Sequence, residues 1–477
     1  MKKKRKDKKI NIFWHEIFKA QDFIKVLVSL LILSVILLIT FFLTDSFKFD
    51  SLLEVKTFVA VLSAFILNFG TSAIFTAYKK HKEDENKLTT KYDDLVRSYS
   101  KNTTMVTYKN ATASTENLVK GRKKTKCMSK GEKDENDDKK IKIAKKDTTV
   151  SDYDHYTIPI ADVIELKADT TDFNNANSRK LYERPKEISG MYSEIMAAHS
   201  ASSTYNQLMI RCDKITKKVK RVKNKENNTI EKKKITYFHV SKTTYNDSLS
   251  TNRALDYSVK GTTVRELLAY GPYLHPLEDS KLSNHIGYNG YVETADEKII
   301  FIFRGKHVSI AKSTLQSSIG ASLKVKHACS ANGYVTKESF IEAVKREIED
   351  ELRLKEIANY KEANVFKDLS FNNVLYFYRE LVEGGKPQFM FYVKLPLDSN
   401  TIKAAYTKNL SKFKKRKSCS VDGFKMILVD KSKLKDIYVT PDGMTINGKF
   451  YKSMPTSTGT FALLMKHLDD TEAKERQ

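Results

Sequence analysis

The sequence predicts an α+β protein, with a two-helix transmembrane hairpin followed by a mixed-sheet α/β/α sandwich domain. Two charge-free apolar runs, Val26 to Leu43 and Thr57 to Ala77, predict the hairpin. Each run is long enough to cross a hydrocarbon core of about 30 Å as a helix. Further along the chain, strand patterns, an acidic helix, a second set of strands and a final helix follow one another, and this order indicates a mixed or antiparallel sheet. Within the second set, two strands are predicted to pair around the Gly-Gly turn at Glu383 to Lys386.

The charges around the two apolar runs predict their orientation. Lysine-rich segments precede the first run and follow the second, whereas the turn between them has only Lys48 and Lys56. Because positively charged flanks remain on the cytoplasmic side, we expect two spans with both termini in the cytoplasm.

Composition divides the chain into four segments. They are a basic cytoplasmic N-terminus (1–25), the hairpin (26–78), a polar charged linker (79–151) and a cytoplasmic domain (152–477). The linker is poor in large apolar residues, which is typical of a solvated tether. Within the domain, residues 214–240 contain two β-branched runs around an Asn-rich turn and predict a hairpin with a very basic outer face. We interpret its lysines as a solvated edge that discourages strand pairing, and a nucleotide-facing role is the alternative.

The charge balance points to anionic partners. The chain has 84 Lys and Arg against 58 Asp and Glu, a formal net charge of +26. Such a charge suits nucleotides, nucleic acid or acidic lipid headgroups, and it keeps open a membrane adaptor whose tether binds anionic lipid or RNA. The four cysteines lie far apart, so neither a zinc site nor a disulfide scaffold is indicated.

One acidic stretch, residues 340–354, places carboxylates beside an apolar stripe. On a helix the stripe runs from Ile341 to Leu352, and Glu347, Asp350 and Glu351 lie along one flank of it. Carboxylates so close together repel one another, and they need a cation or basic neighbours to ionise together, as in a magnesium site. Four charged residues on the opposite face can pair through helical spacings and need no function: Glu342, Arg346, Glu349 and Arg353.

With these carboxylates the stretch resembles the Nudix box of the Nudix hydrolases. Arg346 and Glu347 match the Arg-Glu pair of the box, and Glu338 stands eight positions before Arg346, as the family pattern asks. The resemblance implies a Nudix-like fold in which Glu347, Asp350 and Glu351 bind magnesium. It also implies that Arg346 orients the helix through Glu338, and that Glu351 and Glu347 are catalytic if the chain is a hydrolase.

The stretch departs from the Nudix pattern at four positions. Gly333 is one position too close to Glu338, Lys337 stands where a glycine is frequent, Asp350 replaces a glutamate and Arg353 replaces a glycine. Aspartate is one methylene shorter, and arginine adopts a positive φ less easily than glycine. We therefore expect a binding fold rather than an enzyme. The alternative is a membrane-anchored, magnesium-dependent Nudix pyrophosphohydrolase that acts on a nucleoside diphosphate derivative.

A wider resemblance involves residues 282–304 and the upstream residues 241–252. They resemble the SMODS-associated NUDIX domain of bacterial nucleotide-signalling defence operons, and we expect Tyr245 and Asn284 within them to be structural. Together with the predicted hairpin, the architecture is similar to the transmembrane-NUDIX effectors of CBASS anti-phage systems. This implies that a cyclic nucleotide, made by a cGAS/DncV-like nucleotidyltransferase, binds the domain. The transmembrane helices then form a homo-oligomer and disrupt the bacterial inner membrane.

Five side chains on predicted strands are candidates for binding such a nucleotide. Arg and Lys side chains bind phosphate groups, and bases stack on aromatic side chains. The candidates are Arg304, Lys324, Lys326, His327 and Tyr392. The alternative for each is a solvated strand residue or, for Tyr392, core packing.

Overall fold

A computed structural model describes residues 99, 103–110, 155–198, 206–223, 230–259, 261–305, 311, 313–358, 360, 364–415, 423–440 and 442–476. The chain divides into two compact units, residues 1–89 with 193–200 and residues 90–192 with 201–477. The described part of the first unit is residues 193–198, within one short helix. The second unit contains the strands.

Strands dominate the described residues, and most carry the β-branched and aromatic side chains that favour extended backbone. Their bounds are Met105–Lys109 (β1), His155–Glu165 (β2), Thr171–Asn174 (β3), Leu208–Lys223 (β4), Ile230–Thr244 (β5), Ser258–Val259 (β6), Thr262–Thr263 (β7), Gly287–Glu293 (β8), Lys298–Arg304 (β9), Leu315–Gln316 (β10), Ile319–Ser322 (β11), Val374–Glu380 (β12), Lys386–Lys394 (β13), Gly423–Asp430 (β14), Tyr438–Thr440 (β15), Gly443–Ile446 (β16) and Lys449–Lys452 (β17).

The helices of the described residues are few and mostly short. Their bounds are Lys186–Ser189 (α1), Tyr192–Ala198 (α2), Tyr245–Ser250 (α3), Val264–Leu268 (α4), Val325–Ala328 (α5), Lys337–Glu351 (α6), Ser399–Lys415 (α7) and Pro455–Glu475 (α8). Single 3-10 turns cover Asn252–Ala254, Leu354–Glu356, Phe371–Asn373 and Lys431–Asp436.

The large sheet is mixed and has nine strands. Its order is β1-β2-β12-β13-β8-β9-β10, with β11 paired to β8 and β14 paired to β9. The neighbours β13 and β8 run parallel, and the other pairs are antiparallel. Smaller sheets are formed by β15-β16-β17, by β3-β5-β4 and by β6-β7.

Helices cover both faces of the large sheet. On one face the apolar sides of α6 and α7 enter a core in which the rings of Phe340 and Phe389 lie 5.1 Å apart. On the other face α8 packs against the sheet, with 6.0 Å between the rings of Phe301 and Phe461. Burial of these aromatic side chains stabilises the packing of helices on the sheet, since each removes a large apolar area from water.

The predicted fold class is wrong as stated and needs correction. None of the described helices is long and apolar enough to cross a membrane, and the described chain is a mixed α/β protein of large sheets and few helices. The two longest helices carry charges along their length, for example Lys403 in α7 and Lys466 and Asp470 in α8, which hydrocarbon would not accommodate. The predicted spans, Val26–Leu43 and Thr57–Ala77, lie outside the described residues.

The large sheet begins earlier than the predicted domain boundary at residue 152. Strand β1 lies inside the segment predicted to be a linker, and it pairs with β2 from Lys109 to Met105. Tyr99 and Asn110 on either side are buried, and Asn110 exchanges two hydrogen bonds with the backbone of Val439. Part of the predicted linker therefore belongs to the folded domain.

Two predicted hairpins are confirmed. Strands β4 and β5 pair from Leu208 to Lys223, with a bulge between Cys212 and Lys214. Strands β12 and β13 meet at a turn in which Gly384 and Gly385 have φ values of +67° and +81°. Glycine suits that turn because it adopts positive φ without steric cost.

Candidate functional site

The acidic helix α6 starts at a capping box. The Thr336 side chain accepts a hydrogen bond from the Ser339 backbone N–H at 3.1 Å, and the Ser339 hydroxyl accepts one from the Thr336 N–H at 2.8 Å. This cap satisfies backbone donors that a helix start leaves unpaired. The buried residues of α6 follow the predicted stripe, so the carboxylates beside it are held at the edge of the core.

The three carboxylates predicted to lie on one flank of α6 differ widely in exposure. Glu351 is buried, the Glu347 side chain is 14% exposed and the Asp350 side chain is 64% exposed. Tyr288 of β8 lies beneath them and donates a hydrogen bond to the Ala343 carbonyl at 3.3 Å. Burial raises the pKa of Tyr288 well above its usual value, and the negative charges of Glu347, Glu351 and Asp350 raise it further. All three negative charges therefore lie close enough to Tyr288 to act on its hydroxyl.

Lysine side chains accompany two of these carboxylates. The Lys324 ammonium lies 3.6 Å from Glu347 Oε2. The Lys355 ammonium lies 3.1 Å from Asp350 Oδ1 and 3.2 Å from Glu349 Oε2. The positive charge that close carboxylates require is therefore supplied here by ammonium groups.

This arrangement does not fit the magnesium ion that the Nudix box implies. Magnesium needs oxygen ligands at about 2.0–2.1 Å in octahedral geometry. Glu347 and Asp350 instead face ammonium groups, and the described residues contain no group of three or more His, Cys, Asp or Glu side chains placed to hold a metal. No catalytic step through a metal is derived for Glu347 or Glu351.

Among the described contacts of α6, Arg346 and Glu338 do not form the interaction expected of them. Both residues lie on α6, two turns and about 12 Å apart along the axis. Both are exposed, and no ion pair joins them in the described part of the chain. A solvated helix surface explains their placement.

Arg353, which replaces the glycine of the box, is not on a solvated face. Its backbone is left-handed, with φ of +57°, and its side chain is buried. The guanidinium lies 5.3 Å from the centre of the Tyr406 ring, and Nη1 donates to the Tyr406 carbonyl at 3.3 Å. A left-handed backbone costs a non-glycine residue roughly 1–2 kcal/mol. The contacts of the Arg353 side chain with α7 offset that strain. The chain therefore makes the same left-handed turn after α6 that a glycine would make.

The predicted strand that carries Lys324, Lys326 and His327 is instead a strand followed by one helical turn. Strand β11 ends at Ser322, and the Lys324 carbonyl accepts N–H groups from His327 and Ala328 at 3.0 and 2.9 Å. Lys324 occupies the N-cap position of α5 without a side-chain cap, and Lys326 and His327 lie within the helix.

These basic residues lie near one another and near α6. Burial lowers the pKa of His327, and the positive charges of Lys324, Lys326 and Arg346 lower it further, against the opposing charge of Asp350. Four basic side chains therefore share one electrostatic environment beside the α6 carboxylates, and Arg346 belongs to it although the sequence did not place it there.

Arg304 and Tyr392 do not join this group of basic side chains. Arg304, at the end of β9, donates from Nη1 to Gln316 Oε1 at 2.6 Å. The Tyr392 hydroxyl donates to Glu293, and its ring lies 5.8 Å from that of His467 on α8. Tyr392 is thus on the α8 face of the sheet, and the core-packing alternative describes it better than a ligand role.

The two segments that carry the wider resemblance contact each other. The Asn284 backbone N–H donates to Asn252 Oδ1 at 2.8 Å, and Asn252 Nδ2 donates to Asn284 Oδ1 at 3.1 Å. Thr243 and Ser283 share a hydroxyl hydrogen bond of 2.9 Å. Tyr245 accepts a hydrogen bond from Arg253 at 2.8 Å. These contacts give Tyr245 and Asn284 the structural role expected of them.

Sequence reasoning missed a buried charged cluster at the β12–β13 turn. The Lys386 ammonium lies 2.7 Å from Glu383 Oε2, Arg253 Nε lies 3.6 Å from Glu383 Oε1, and Gln388 Nε2 donates to Glu380 Oε2 at 3.0 Å. Burial and the charge of Glu383 raise the pKa of Glu380 to about 7. Lys386 and Arg253 lower the pKa of Glu383, although its burial acts in the opposite direction.

The signal for this cluster was present in the sequence. Glu380 ends β12, Lys386 begins β13 and Glu383 lies in the Gly-Gly turn between them, and charged residues are rarely buried unless paired. No protein-family model and no curated protein matches the chain.

Proposed function

We propose that this protein is a nucleotide-binding effector in which a Nudix-like helix serves ligand binding rather than hydrolysis. The observation that carries the proposal is the Lys324–Glu347 ion pair of 3.6 Å. It places an ammonium group where the Nudix resemblance would place a metal, at the edge of α6.

The basic side chains next to this pair support a phosphate-bearing ligand. Burial lowers the pKa of His327, and the positive charges of Lys324, Lys326 and Arg346 lower it further, so these side chains lie close enough together to repel added positive charge. A phosphate group bound among them relieves that repulsion and accepts charge-assisted hydrogen bonds. Arg346 is exposed and has a planar guanidinium suited to two parallel hydrogen bonds with phosphate oxygens.

The pairing of the carboxylates favours binding without turnover. A Nudix-type hydrolysis uses metal-bound carboxylates to activate water and to stabilise phosphate charge. An ammonium group stabilises phosphate charge but does not lower the pKa of a bound water as a Lewis acid does. The ligand is therefore expected to dissociate from the protein without having been hydrolysed.

The ligand class and the output in this proposal come from the resemblance to bacterial defence domains. The ligand is a cyclic nucleotide second messenger made by a cGAS/DncV-like nucleotidyltransferase. Its binding supplies the coupling free energy that shifts the protein towards a homo-oligomer acting at the bacterial inner membrane, where the membrane is disrupted.

A thermal-shift screen of the full chain against cyclic di- and trinucleotides tests the proposal. A ligand at 100 times its Kd stabilises the folded state by about 2.7 kcal/mol, which raises the unfolding temperature measurably. Arg346→Gln should leave the temperature without ligand unchanged, because Arg346 is exposed, and should reduce the ligand-induced rise. Lys324→Gln should reduce it further.

Lys466→Gln is the matched control, because Lys466 also pairs with one carboxylate, Asp470 at 3.0 Å, but on α8. It should respond to ligand as the wild type does. Chromatography should recover the nucleotide unaltered. Magnesium-dependent turnover that disappears in Glu351→Gln would contradict the proposal and favour the pyrophosphohydrolase.

A further inference from the structure

The β4–β5 hairpin extends beyond the sheet to which it belongs. Strand β3 pairs with β5 only from Thr171–Asn174 to Thr236–His239. The six cross-strand pairs from Lys218↔Ile235 to Lys223↔Ile230 lie beyond that point. The distal ribbon is defined here as residues 217–223 and 230–235, which are these six pairs together with Lys217 at their inner end, whose partner Thr236 also pairs with β3. It is a two-stranded element roughly 20 Å long at about 3.3 Å per residue.

The distal ribbon is strongly basic. It contains eight basic side chains and one acidic side chain, Glu231, which gives a net charge of +7. The basic residues are Lys217, Lys218, Lys220, Arg221, Lys223, Lys232, Lys233 and Lys234.

Like charges face each other directly across the ribbon. Lys220 pairs with Lys233, and Arg221 pairs with Lys232. Such pairs destabilise a two-stranded sheet, which is only marginally stable by itself. Lys233 is partly compensated by Asp169 at 3.0 Å. Scattered lysines are enough to discourage edge-to-edge association of strands. Protection of the strand edge therefore does not explain why basic residues stand directly opposite one another.

The basic side chains occupy both faces of the ribbon. Because side chains alternate along a strand, Lys218 and Lys220 point to one face, and Lys217 and Arg221 point to the other. A flat lipid surface can engage one face only. A groove between two phosphate backbones engages both at once.

We propose that the distal ribbon binds double-stranded DNA by lying in the major groove and contacting phosphates on both sides. The major groove of B-DNA is about 12 Å wide and accepts a two-stranded β-ribbon. The major groove of A-form RNA is too narrow for side chains to enter. Lys and Arg contacts to phosphate fix position and carry little sequence information, so the binding has weak sequence preference. This surface is separate from the basic residues beside α6.

Fluorescence anisotropy of the full chain with a short labelled DNA duplex tests this proposal. Wild-type binding should weaken steeply with salt, because each phosphate contact contributes about −0.9 to the slope of log affinity against log salt. The variant K217Q/K220Q/R221Q/K232Q should lower the magnitude of that slope by about 4 and weaken binding to all sequences alike.

The matched control is K403Q/K435Q/K452Q/K474Q, which removes the same charge from exposed lysines elsewhere. It should bind DNA with the wild-type slope. The ribbon variant should unfold at the wild-type temperature or above it, since it removes repulsion between Arg221 and Lys232.

Three results would overturn the assignment. One is an equal loss of affinity in both variants, which indicates net charge alone. Another is tighter binding of the wild type to vesicles that contain phosphatidylglycerol than to DNA. The third is equal affinity for duplex RNA and duplex DNA.

Discussion

Glu380→Gln should make the protein more stable above neutral pH, and this follows from the buried cluster at the β12–β13 turn. Glu380 is 1% exposed, and its Oε2 accepts a hydrogen bond from Gln388 at 3.0 Å. Glutamine has the same shape and keeps an acceptor oxygen. The substitution therefore removes the charge of residue 380 with little change in packing.

The magnitude follows from the pKa of Glu380. That pKa is about 7 in the folded protein against 4.5 ordinarily, because burial and the charge of Glu383 disfavour the carboxylate. Because the pKa of Glu380 is higher in the folded than in the unfolded protein, the protonated carboxyl stabilises the folded state. This contribution is fully present below pH 4.5 and is lost as pH rises through about 7. At about 1.4 kcal/mol per pKa unit, the loss is about 3 kcal/mol.

Urea unfolding of the full chain at about pH 5 and about pH 8.5 measures this difference. The unfolding free energy of the wild type should fall between about pH 5 and about pH 8.5 by up to about 3 kcal/mol more than that of Glu380→Gln does. Equal pH profiles for the two proteins would refute the reasoning.

Glu383→Gln is the control, because Glu383 is the charge partner of Lys386 at 2.7 Å. Removing one partner of a buried ion pair leaves the other charge uncompensated and costs about 3–5 kcal/mol. Glu383→Gln should therefore destabilise the protein at both pH values. Stabilisation by this variant would show that the charges of the cluster are assigned to the wrong residues.

Three further predictions concern α6 and its surroundings. Thr336→Ala should lower the unfolding free energy by about 1 kcal/mol in urea titrations because the helix loses its cap, whereas Thr336→Ser should retain most of it. Gly290→Ala should cost about 1–3 kcal/mol, because the added methyl group would lie 2.4 Å from the Phe391 ring in the core, and a wild-type melting temperature would contradict that packing. The pKa of His327, followed by NMR, should rise in Lys326→Gln and also when a phosphate-bearing ligand binds. Both changes reduce the positive potential that, together with burial, lowers this pKa. A fall of the pKa in either case would show that the basic residues do not surround His327.

Local patterns were enough to predict the hairpins and α6. The alternation of side chains and the Gly-Gly turn define β12 and β13, and the apolar stripe defines α6. The four-residue helix α5 was predicted as a strand, because one helical turn is too short for a helical period to appear. Strand β1 was assigned to a linker, because its extended form depends on pairing with β2.

The candidate site was predictable only where its residues are close in sequence. Glu347, Asp350 and Glu351 lie on one flank because their spacing matches a helix. The contact of Lys324 with Glu347 joins residues that only the tertiary fold brings together. Arg353 was expected on a solvated face because helical periodicity was extended past the point where the helix ends, at Glu351. Sequence spacing alone does not show where a helix stops.

The position of Arg353 has a mechanical consequence for the domain. A glycine there would form the same left-handed turn but would have no side chain to reach α7. Arg353 instead connects the end of α6 to the Tyr406 ring and carbonyl. The two helices are thus joined by a side chain at the end of α6 that also carries Glu347, and a displacement of that end relative to α7 would have to break both contacts.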